Sequence, residues 1–401
     1  MKKILLFAML GLFLYPSVPA EAQILKKLKK KMERKAEEKI DKTIDKGLEK
    51  KDDKVEEKKT DTIPGKKVGK STKDQQSTAS QGPILEWAKY DFVPGDKIIF
   101  EDNLIGEENG EFPSRWDLEH GTVEIAQFGG DNIIMFRGGH PRIIPYMKNP
   151  EKDYLPEIFT IEFDLYMNNH EVFQVFFFDK KNQKVASGYR TLDITYQGLY
   201  LTPASSRIPN NVTIENKWAH IAIAYTNGKL KAYIDETRLI NIPHLAFNPF
   251  GISLYAYHGS DKNIFYIKNF RLAEGGVKYY DKFLQDGKIV TNGIRFDVNK
   301  ATLKPESMGV INEIVKLLKE YPEIKFSVEG HTDSDGDTNF NQKLSEDRAQ
   351  AVRNQLVSMG VNNERLTSKG FGETMPIDGN GTAEGKANNR RVEFVKMLDA
   401  G

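Results

Sequence analysis

Between residues 289 and 397 the spacing of the apolar residues changes repeatedly, and this change constrains the fold more than any other feature of the chain. Apolar and polar residues alternate over 324–328, as in a strand with one buried face. In 305–322 apolar residues recur at spacings of three and four between two prolines, which predicts a helix. A second helix is predicted over 341–359 and a last strand over 391–395. Strands alternating with helices predict an α/β layer.

Asp333 and Arg348 lie at opposite ends of the segment that joins the predicted strand to the second helix. An acid and a guanidinium held in this way suit a group that carries an ammonium and a carboxylate on one carbon. Arg348 also interrupts the apolar stripe of Leu344 and Val352, where an arginine needs a partner or a ligand. We place it near the helix N-terminus, where free N–H groups favour a carboxylate. Gly360 is expected to cap the helix. Alternatively, Asp333 orders a turn and Arg348 pairs with it structurally.

Three separate segments carry a family pattern: Gly-His-Thr-Asp at 330–333, Leu-Ser-Glu-Asp-Arg-Ala at 344–349 and Asn-Arg-Arg-Val at 389–392. Residues 289–397 thereby resemble the C-terminal domain of OmpA-like proteins, which bind peptidoglycan non-covalently. The resemblance implies that Asp333 takes the ammonium of a diaminopimelate side chain.

The same resemblance implies that Arg348 takes the carboxylate of that diaminopimelate. A guanidinium suits this role because it bonds a carboxylate through two parallel N–H groups. Asp297, Asn341 and Arg390 fall on further contact positions of the family. A calcium loop beginning at Asp333 is excluded, because its sixth and twelfth positions lack the required glycine and glutamate.

Residues 83–276 differ in their sequence pattern from the segments on either side. Aromatic and β-branched runs recur there with turn signals between them, and Asn227-Gly228 is a strong two-residue hairpin signal. This spacing predicts an all-β sandwich. On the runs 218–235 and 267–271, residues 83–276 resemble the laminin-G/concanavalin-like jelly roll. The predicted strands span 97–100, 132–136, 159–166, 172–178, 218–225, 230–234, 252–257 and 264–272.

Sandwiches of this kind often bind sugars, and some hydrolyse them. Glu162-Phe163-Asp164 is similar to the start of a laminarinase-type catalytic strand, but Tyr166 and Met167 stand where its second glutamate should fall. Retaining hydrolysis needs two carboxyl groups about 5 Å apart, so catalysis is disfavoured. Trp87 and Trp116 are candidates for stacking on a sugar, with core packing as the alternative.

The N-terminal part has three predicted segments. Residues 1–22 resemble a secretory signal: two lysines, an apolar run too short to span a bilayer, and a small-residue cleavage site. Residues 23–59 alternate apolar, acidic and basic positions every four residues, which predicts a charged helical spacer. Self-association of this spacer, or contact of its basic start with a membrane surface, stays open. Residues 60–82 are interpreted as a flexible linker.

The composition of the chain excludes several kinds of site and classes of function. The chain has no cysteine, which excludes disulfides, thiolate metal sites and a lipid-anchored cysteine, and its histidines show no zinc-ligand spacing. A formal charge of +1 gives no indication of nucleic-acid binding. We expect neither a cofactor nor a metal.

The sequence therefore predicts a non-catalytic periplasmic protein associated with the cell wall and outer membrane. Along the chain, we expect first a β-sandwich that binds glycan or an envelope protein and then an α/β domain at 277–401 that binds peptidoglycan. Membrane contact is expected to be peripheral at most. The alternative is an exported glycan-degrading enzyme that the C-terminal domain localises to the wall.

Overall fold

The computed structural model describes residues 90–147, 153–179, 188–276, 279, 283 and 286–397, which belong to one compact unit. The predicted signal, spacer and linker lie outside the described residues. Among the residues that are described, no helix has both the length and the apolar character needed to cross a bilayer.

The first part of the described chain is mostly β-sheet. Its strands are β1 (Gly95–Asp102), β2 (Trp116–His120), β3 (Val123–Phe128), β4 (Asp131–Phe136), β5 (Arg142–Pro145), β6 (Ile158–Met167), β7 (Phe173–Phe178), β8 (Tyr189–Thr195), β9 (Gly198–Leu201), β10 (Ala204–Arg207), β11 (Lys217–Thr226), β12 (Lys229–Ile234), β13 (Thr237–Ile242), β14 (Gly251–Ala256) and β15 (Phe265–Gly275).

These strands form two antiparallel sheets that enclose one core. The eight-stranded sheet has the order β13-β12-β11-β6-β15-β4-β3, with β1 also paired to β15. The seven-stranded sheet has the order β10-β9-β8-β7-β14-β5-β2. Rings from both sheets meet between them, as where the centroids of Phe163 and Phe173 lie 5.8 Å apart. The β-rich prediction is therefore confirmed, whereas the finer jelly-roll assignment stays a prediction.

Local sequence signals position several of these strands. Asn227 and Gly228 have φ values of 47° and 78°, as a type I′ hairpin turn requires, and they join β11 to β12. Alternation along β6 places its phenylalanines and aliphatic residues in the core. The opposite face of β6 is also covered, because Thr160 and Glu162 are each 1% exposed.

The C-terminal part is an α/β layer. Its strands are β16 (Lys288–Thr291), β17 (Phe326–Gly330), β18 (Leu366–Gly370) and β19 (Val392–Lys396), and its helices are α1 (Met308–Glu320), α2 (Thr338–Ser358) and α3 (Ala383–Asn389). The sheet order is β16-β19-β17-β18, with β17 and β18 parallel. α2 packs on β17 and β18. The α/β prediction is confirmed.

The second helix begins earlier than predicted. Asp337 caps it by accepting a hydrogen bond from the amide of Phe340 at 2.9 Å, so α2 starts at Thr338. Arg348 then lies more than two turns inside the helix, and the expectation that free N–H groups of the helix N-terminus lie close to it is wrong. At the other end Gly360 has a φ of 92°, as predicted for the cap.

The C-terminal region packs against the outer face of the eight-stranded sheet, mainly along β1. The amide of Ile98 donates to Oδ1 of Asn388 at 2.8 Å, and Ile98 shares a small buried apolar cluster with Ala387. A Cβ on Gly309 would lie 2.3 Å from the carbonyl oxygen of Phe92, so a glycine lets α1 approach this segment closely. The two regions therefore share a continuous interface.

Charged side chains are buried in the same interface. Arg295 donates to Oε1 of Glu162 at 2.6 Å, and Nδ1 of His220 lies 2.9 Å from Oδ1 of Asp164. Burial would raise the pKa of Glu162, but the charge of Arg295 and a hydrogen bond from His220 lower it to about 2. Burial would lower the pKa of His220, but hydrogen bonds to Asp164 and Glu162 raise it to about 9. These groups stabilise one another as long as each keeps its charge.

We predict that the protein loses stability as the pH rises from 6.5 to about 9. The folded pKa of His220 lies above its ordinary value of 6.5, so its contribution is complete below pH 6.5 and disappears as the imidazolium deprotonates. The shift corresponds to about 3 kcal/mol. Denaturant titrations of the parent and of His220→Gln should show a much flatter profile in the variant over this range. His244→Gln, at an exposed histidine, is the control and should follow the parent.

Candidate binding site

The loop between β17 and α2 forms the floor of the site, and a glycine sets its position. A Cβ on Gly330 would lie 2.3 Å from the carbonyl oxygen of Ser345, so only a glycine lets α2 lie this close to the end of β17. The loop is tied on both sides: the amide of His331 donates to the carbonyl of Arg391 at 3.0 Å, and that of Thr332 to Gly372 at 2.9 Å.

Asp333 follows directly in this loop and is 8% exposed. Its Oδ2 accepts from Nη1 of Arg390 at 2.5 Å, and its Oδ1 accepts from the amide of Asp335 at 3.1 Å. Asp333 thus pairs with Arg390, and the alternative in which it pairs with Arg348 does not describe its contacts. A carboxylate has about four acceptor positions, so Asp333 keeps capacity for a further donor.

Arg348 lies across from this loop on α2. Its Nε donates to the carbonyl of Lys300 at 3.0 Å, and its guanidinium carbon lies 5.0 Å from the ring centroid of Phe296. Burial and the nearby charge of Arg390 lower the pKa of Arg348, whereas the charge of Asp333 acts to raise it. Arg348 forms no ion pair with any residue that the structure describes. Its terminal nitrogens are therefore available to an external carboxylate.

Asn341 is a structural member of the site. Its side-chain nitrogen donates to the carbonyl of Asp335 at 3.0 Å and to Oε2 of Glu373 at 2.7 Å, and it lies 3.4 Å from the carbonyl of Asp333. With 3% exposure, it holds the loop in place from α2. Glu373 was not predicted, since no pattern around it marks its role.

Asp297 lies in the segment that supports Arg348, between β16 and α1. Its amide donates to the carbonyl of Thr302 at 3.1 Å, and its carbonyl accepts from the amide of Lys300 at 3.1 Å. These bonds close the turn whose Lys300 carbonyl holds Arg348. The carboxylate of Asp297 has no hydrogen-bond partner among the described residues.

Arg390 joins the site to the β-sandwich. Its Nη2 donates to Oε2 of Glu101 at 2.5 Å, while its Nη1 contacts Asp333. Burial would lower the pKa of Arg390, but the charge of Glu101 and the hydrogen bond to Asp333 raise it. Glu101 lies 289 positions from Arg390 in the sequence, and sequence reasoning missed it.

Within the described part of the chain, Glu329, His331 and Glu393 are close enough together to bind one metal ion. Arg391 and Lys288 already donate to the two carboxylate oxygens of Glu393 at 2.6 and 2.7 Å. Burial and the charge of Arg391 lower the pKa of His331 to about 4. Two cations at the same carboxylate oppose a metal ion, so this group is better explained as packing.

The sandwich residues singled out from the sequence have different surroundings. Trp116 is 3% exposed and donates from Nε1 to Oδ2 of Asp102 at 2.7 Å, so it is a core residue and does not stack on a ligand. Trp87 lies outside the described residues. Glu162 and Asp164 are held in the interface described above.

The arrangement in the C-terminal region agrees with comparisons with known proteins. Residues 295–390 match the model of the OmpA family. The C-terminal region is an OmpA-family domain. The match covers the segments 330–333 and 344–349 and ends inside the third segment, 389–392, and the site residues Asp333, Arg348, Asn341 and Arg390 all lie inside it.

Individual proteins are similar over the same OmpA-family domain. The Escherichia coli K12 protein named probable lipoprotein YiaD is 40% identical over 141 residues, which are 30% of this chain and 64% of that protein. The protein of Mycobacterium tuberculosis H37Rv named peptidoglycan-binding protein ArfA is 38% identical over 107 residues, 26% of this chain and 33% of that protein. This chain therefore spans less than two thirds of each relative. The crystal structure of the peptidoglycan-associated lipoprotein from Burkholderia pseudomallei is 25% identical, with coverage of 26% of this chain and 88% of that chain and a TM-score of 0.25.

We predict that Asn341→Ala destabilises the OmpA-family domain by about 1–3 kcal/mol, because the buried Asn341 side chain loses its hydrogen bonds to the carbonyl of Asp335 and to Glu373. Chemical denaturation measures this change. The matched control is Asn354→Ala on the exposed face of α2, where the amide contacts only Gln350 among the described residues; we expect it to change stability by less than about 0.5 kcal/mol. Equal stability of the two variants would contradict the structural role of Asn341.

Proposed function

We propose that this protein anchors non-covalently to peptidoglycan in the cell envelope and has no catalytic role. The observation that carries the proposal is the pair of opposite charges at Asp333 and Arg348, one with spare acceptor capacity and the other without an ion pair to a described residue. The match to the OmpA family and the similarity to the peptidoglycan-binding protein ArfA support the same ligand.

Diaminopimelate is the proposed determinant within peptidoglycan. Its free end carries an ammonium and a carboxylate on one carbon, so a single group can reach Asp333 and Arg348 together. Lysine-type peptide stems carry the ammonium but lack that carboxylate. The charged N–H groups of Arg348 would then have no partner in the ligand, and affinity should fall.

The organisation around this domain is part of the proposal. We infer that residues 1–22 direct export and are removed, that 23–59 are a charged helical spacer, and that 60–82 are a flexible linker. The sandwich of 83–276 and the domain of 277–401 would then lie in the periplasm, close to the wall and the outer membrane. Mature protein that retains the signal, detected by mass spectrometry, would contradict the export step.

The alternative of a glycan-degrading enzyme has less support in the sandwich. Glu162 is 1% exposed and accepts from Arg295, and Asp164 pairs with His220. Hydrolysis requires carboxyl groups that reach a sugar and exchange protons with it. A carboxylate enclosed between a guanidinium and an imidazolium cannot do so without opening the interface.

A second proposed function is glycan binding by the outer face of the seven-stranded sheet. Five cross-strand neighbours form one row there: Tyr200, Asp193, Gln174, Tyr255 and Arg142. Gln174 donates to Asp193 at 2.7 Å, and the guanidinium of Arg142 lies 4.8 Å from the ring centroid of Tyr255. The row thus holds two rings and three planar polar groups, which suits the apolar faces and hydroxyl edges of sugars. Four strand spacings give the row a length of about 19 Å.

Binding to purified sacculi tests the first function. The parent chain should co-sediment with diaminopimelate-type sacculi and bind lysine-type sacculi more weakly. Loss of one charged hydrogen bond should weaken binding about tenfold to a hundredfold in Asp333→Ala or Arg348→Ala. Asp347→Ala, at an exposed acid one residue from Arg348, is the control and should bind like the parent. Folded variants at Asp333 and Arg348 that bind as well as the parent would overturn the site assignment.

An array of soluble oligosaccharides tests the second function. The parent chain should retain at least one oligosaccharide, and Gln174→Ala should reduce that binding about tenfold, since a polar group at the centre of the row is lost. The melting temperature should stay unchanged. An array on which the parent retains nothing would contradict glycan binding by this face, without affecting the sacculus result.

A further inference from the structure

A residue of the sandwich contacts the candidate peptidoglycan site through Arg390. One terminal nitrogen of Arg390 donates to Asp333 and the other to Glu101, both at 2.5 Å. The guanidinium is planar and rigid, so fixing one of its nitrogens orients the other. The geometry at Asp333 is therefore linked to a carboxylate that lies outside the OmpA-family match.

Glu101 is itself fixed from a second side. Nη2 of Arg271, on β15, donates to Oε1 of Glu101 at 2.9 Å, and Nη1 of Arg271 donates to the carbonyl of Asn292 at 3.0 Å. Glu101 and Arg271 are 8% and 7% exposed. Glu101 thus accepts from two guanidinium groups, and its side chain has little freedom to move. It therefore also restricts the position of Arg390.

We propose that Glu101 is a positioning residue of the peptidoglycan site, which it serves by holding Arg390 and sharing its positive charge. The inference rests on the function proposed above, in which Asp333 takes the ligand ammonium. It adds a residue from the β-sandwich to a site otherwise built from the OmpA-family domain.

The sharing of charge matters because the ligand brings a cation to Asp333. If Arg390 paired with Asp333 alone, its positive charge would cancel that of the carboxylate and repel the ammonium. Glu101 places a second negative charge on the far side of the same guanidinium. Counted with Arg271, which donates to the other oxygen of Glu101, these groups are neutral together, whereas without Glu101 they would carry a net positive charge beside the ammonium position.

The same contacts give Arg390 and Arg348 different roles toward the ligand. Arg390 is engaged by two carboxylates, whereas Arg348 has no ion pair with a described residue. A ligand carboxylate that approached Arg390 would compete with two fixed carboxylates of the protein. It is therefore directed to Arg348, and the ligand has one orientation, with its ammonium at Asp333.

Two peptides distinguish positioning from a merely structural role. The first is a stem tripeptide with diaminopimelate, and the second is the same peptide with the free amine of that residue acetylated. In the full chain, Glu101→Gln should weaken binding of the first peptide about three- to tenfold, an effect of the size of a coupling between neighbouring charges. It should leave binding of the acetylated peptide unchanged, because that peptide has no ammonium at Asp333. Calorimetric titration measures both affinities.

A double-mutant cycle provides the control. In an Asp333→Asn background, the further change Glu101→Gln should weaken binding less than it does in the parent, since the carboxylate that Arg390 positions is gone. Glu101→Asp keeps a charge for Arg271 but is one methylene shorter. It should lose less affinity in the same ligand-selective way, and it serves as the test protein if Glu101→Gln does not fold.

The outcomes separate this inference from the proposed function. A parent chain that fails to bind the unmodified peptide overturns both. A parent that binds, with loss in Asp333→Ala but none in the folded Glu101 variants, overturns the role of Glu101 alone. Equal loss for the acetylated and unmodified peptides also overturns it, because Glu101 would then act only through the stability of the interface.

Discussion

The carboxylate of Glu101 lies between the guanidinium groups of Arg271 and Arg390, and the joining of sandwich and OmpA-family domain depends on this contact. Burial would raise the pKa of Glu101, but the charges of Arg271 and Arg390 lower it, so the group stays ionised. Buried ions are costly unless each is paired and hydrogen-bonded. Separation of the two regions would break the ion pairs of Glu101 with Arg390 and of Glu162 with Arg295, while Glu101 would keep Arg271 and Arg390 would keep Asp333.

Much of the fold could be predicted because the burial of every second residue in a strand, or every third or fourth in a helix, is visible as a spacing of apolar residues in the local sequence. The eight predicted sandwich strands correspond to strands such as β6 and β11, where apolar core residues recur at every second position. Short strands such as β5, β9 and β10, each of four residues, were missed because four positions hardly establish a period. The start of α2 was misplaced because the capping role of Asp337 was not recognised.

The candidate site was only partly predictable for a different reason. Asp333 and Arg348 are close in sequence, and the family pattern marks both of them. The partner of Asp333 proved to be Arg390, and the partner of Arg390 is Glu101, which comes from another layer of the molecule. Contacts between distant segments depend on how the layers pack, and no local spacing encodes that packing. For the same reason the ion pairs of the carboxylates on β6 could not be foreseen from the sequence.

The close contact along β1 has a mechanical consequence. A force applied to the C-terminal region would act on β1 through the contacts of Glu101 with Arg390 and of Ile98 with Asn388, and β1 is paired along its length with β15. Strand pairs loaded along their axis share the strain over many hydrogen bonds at once. Such a force would therefore be spread over the eight-stranded sheet.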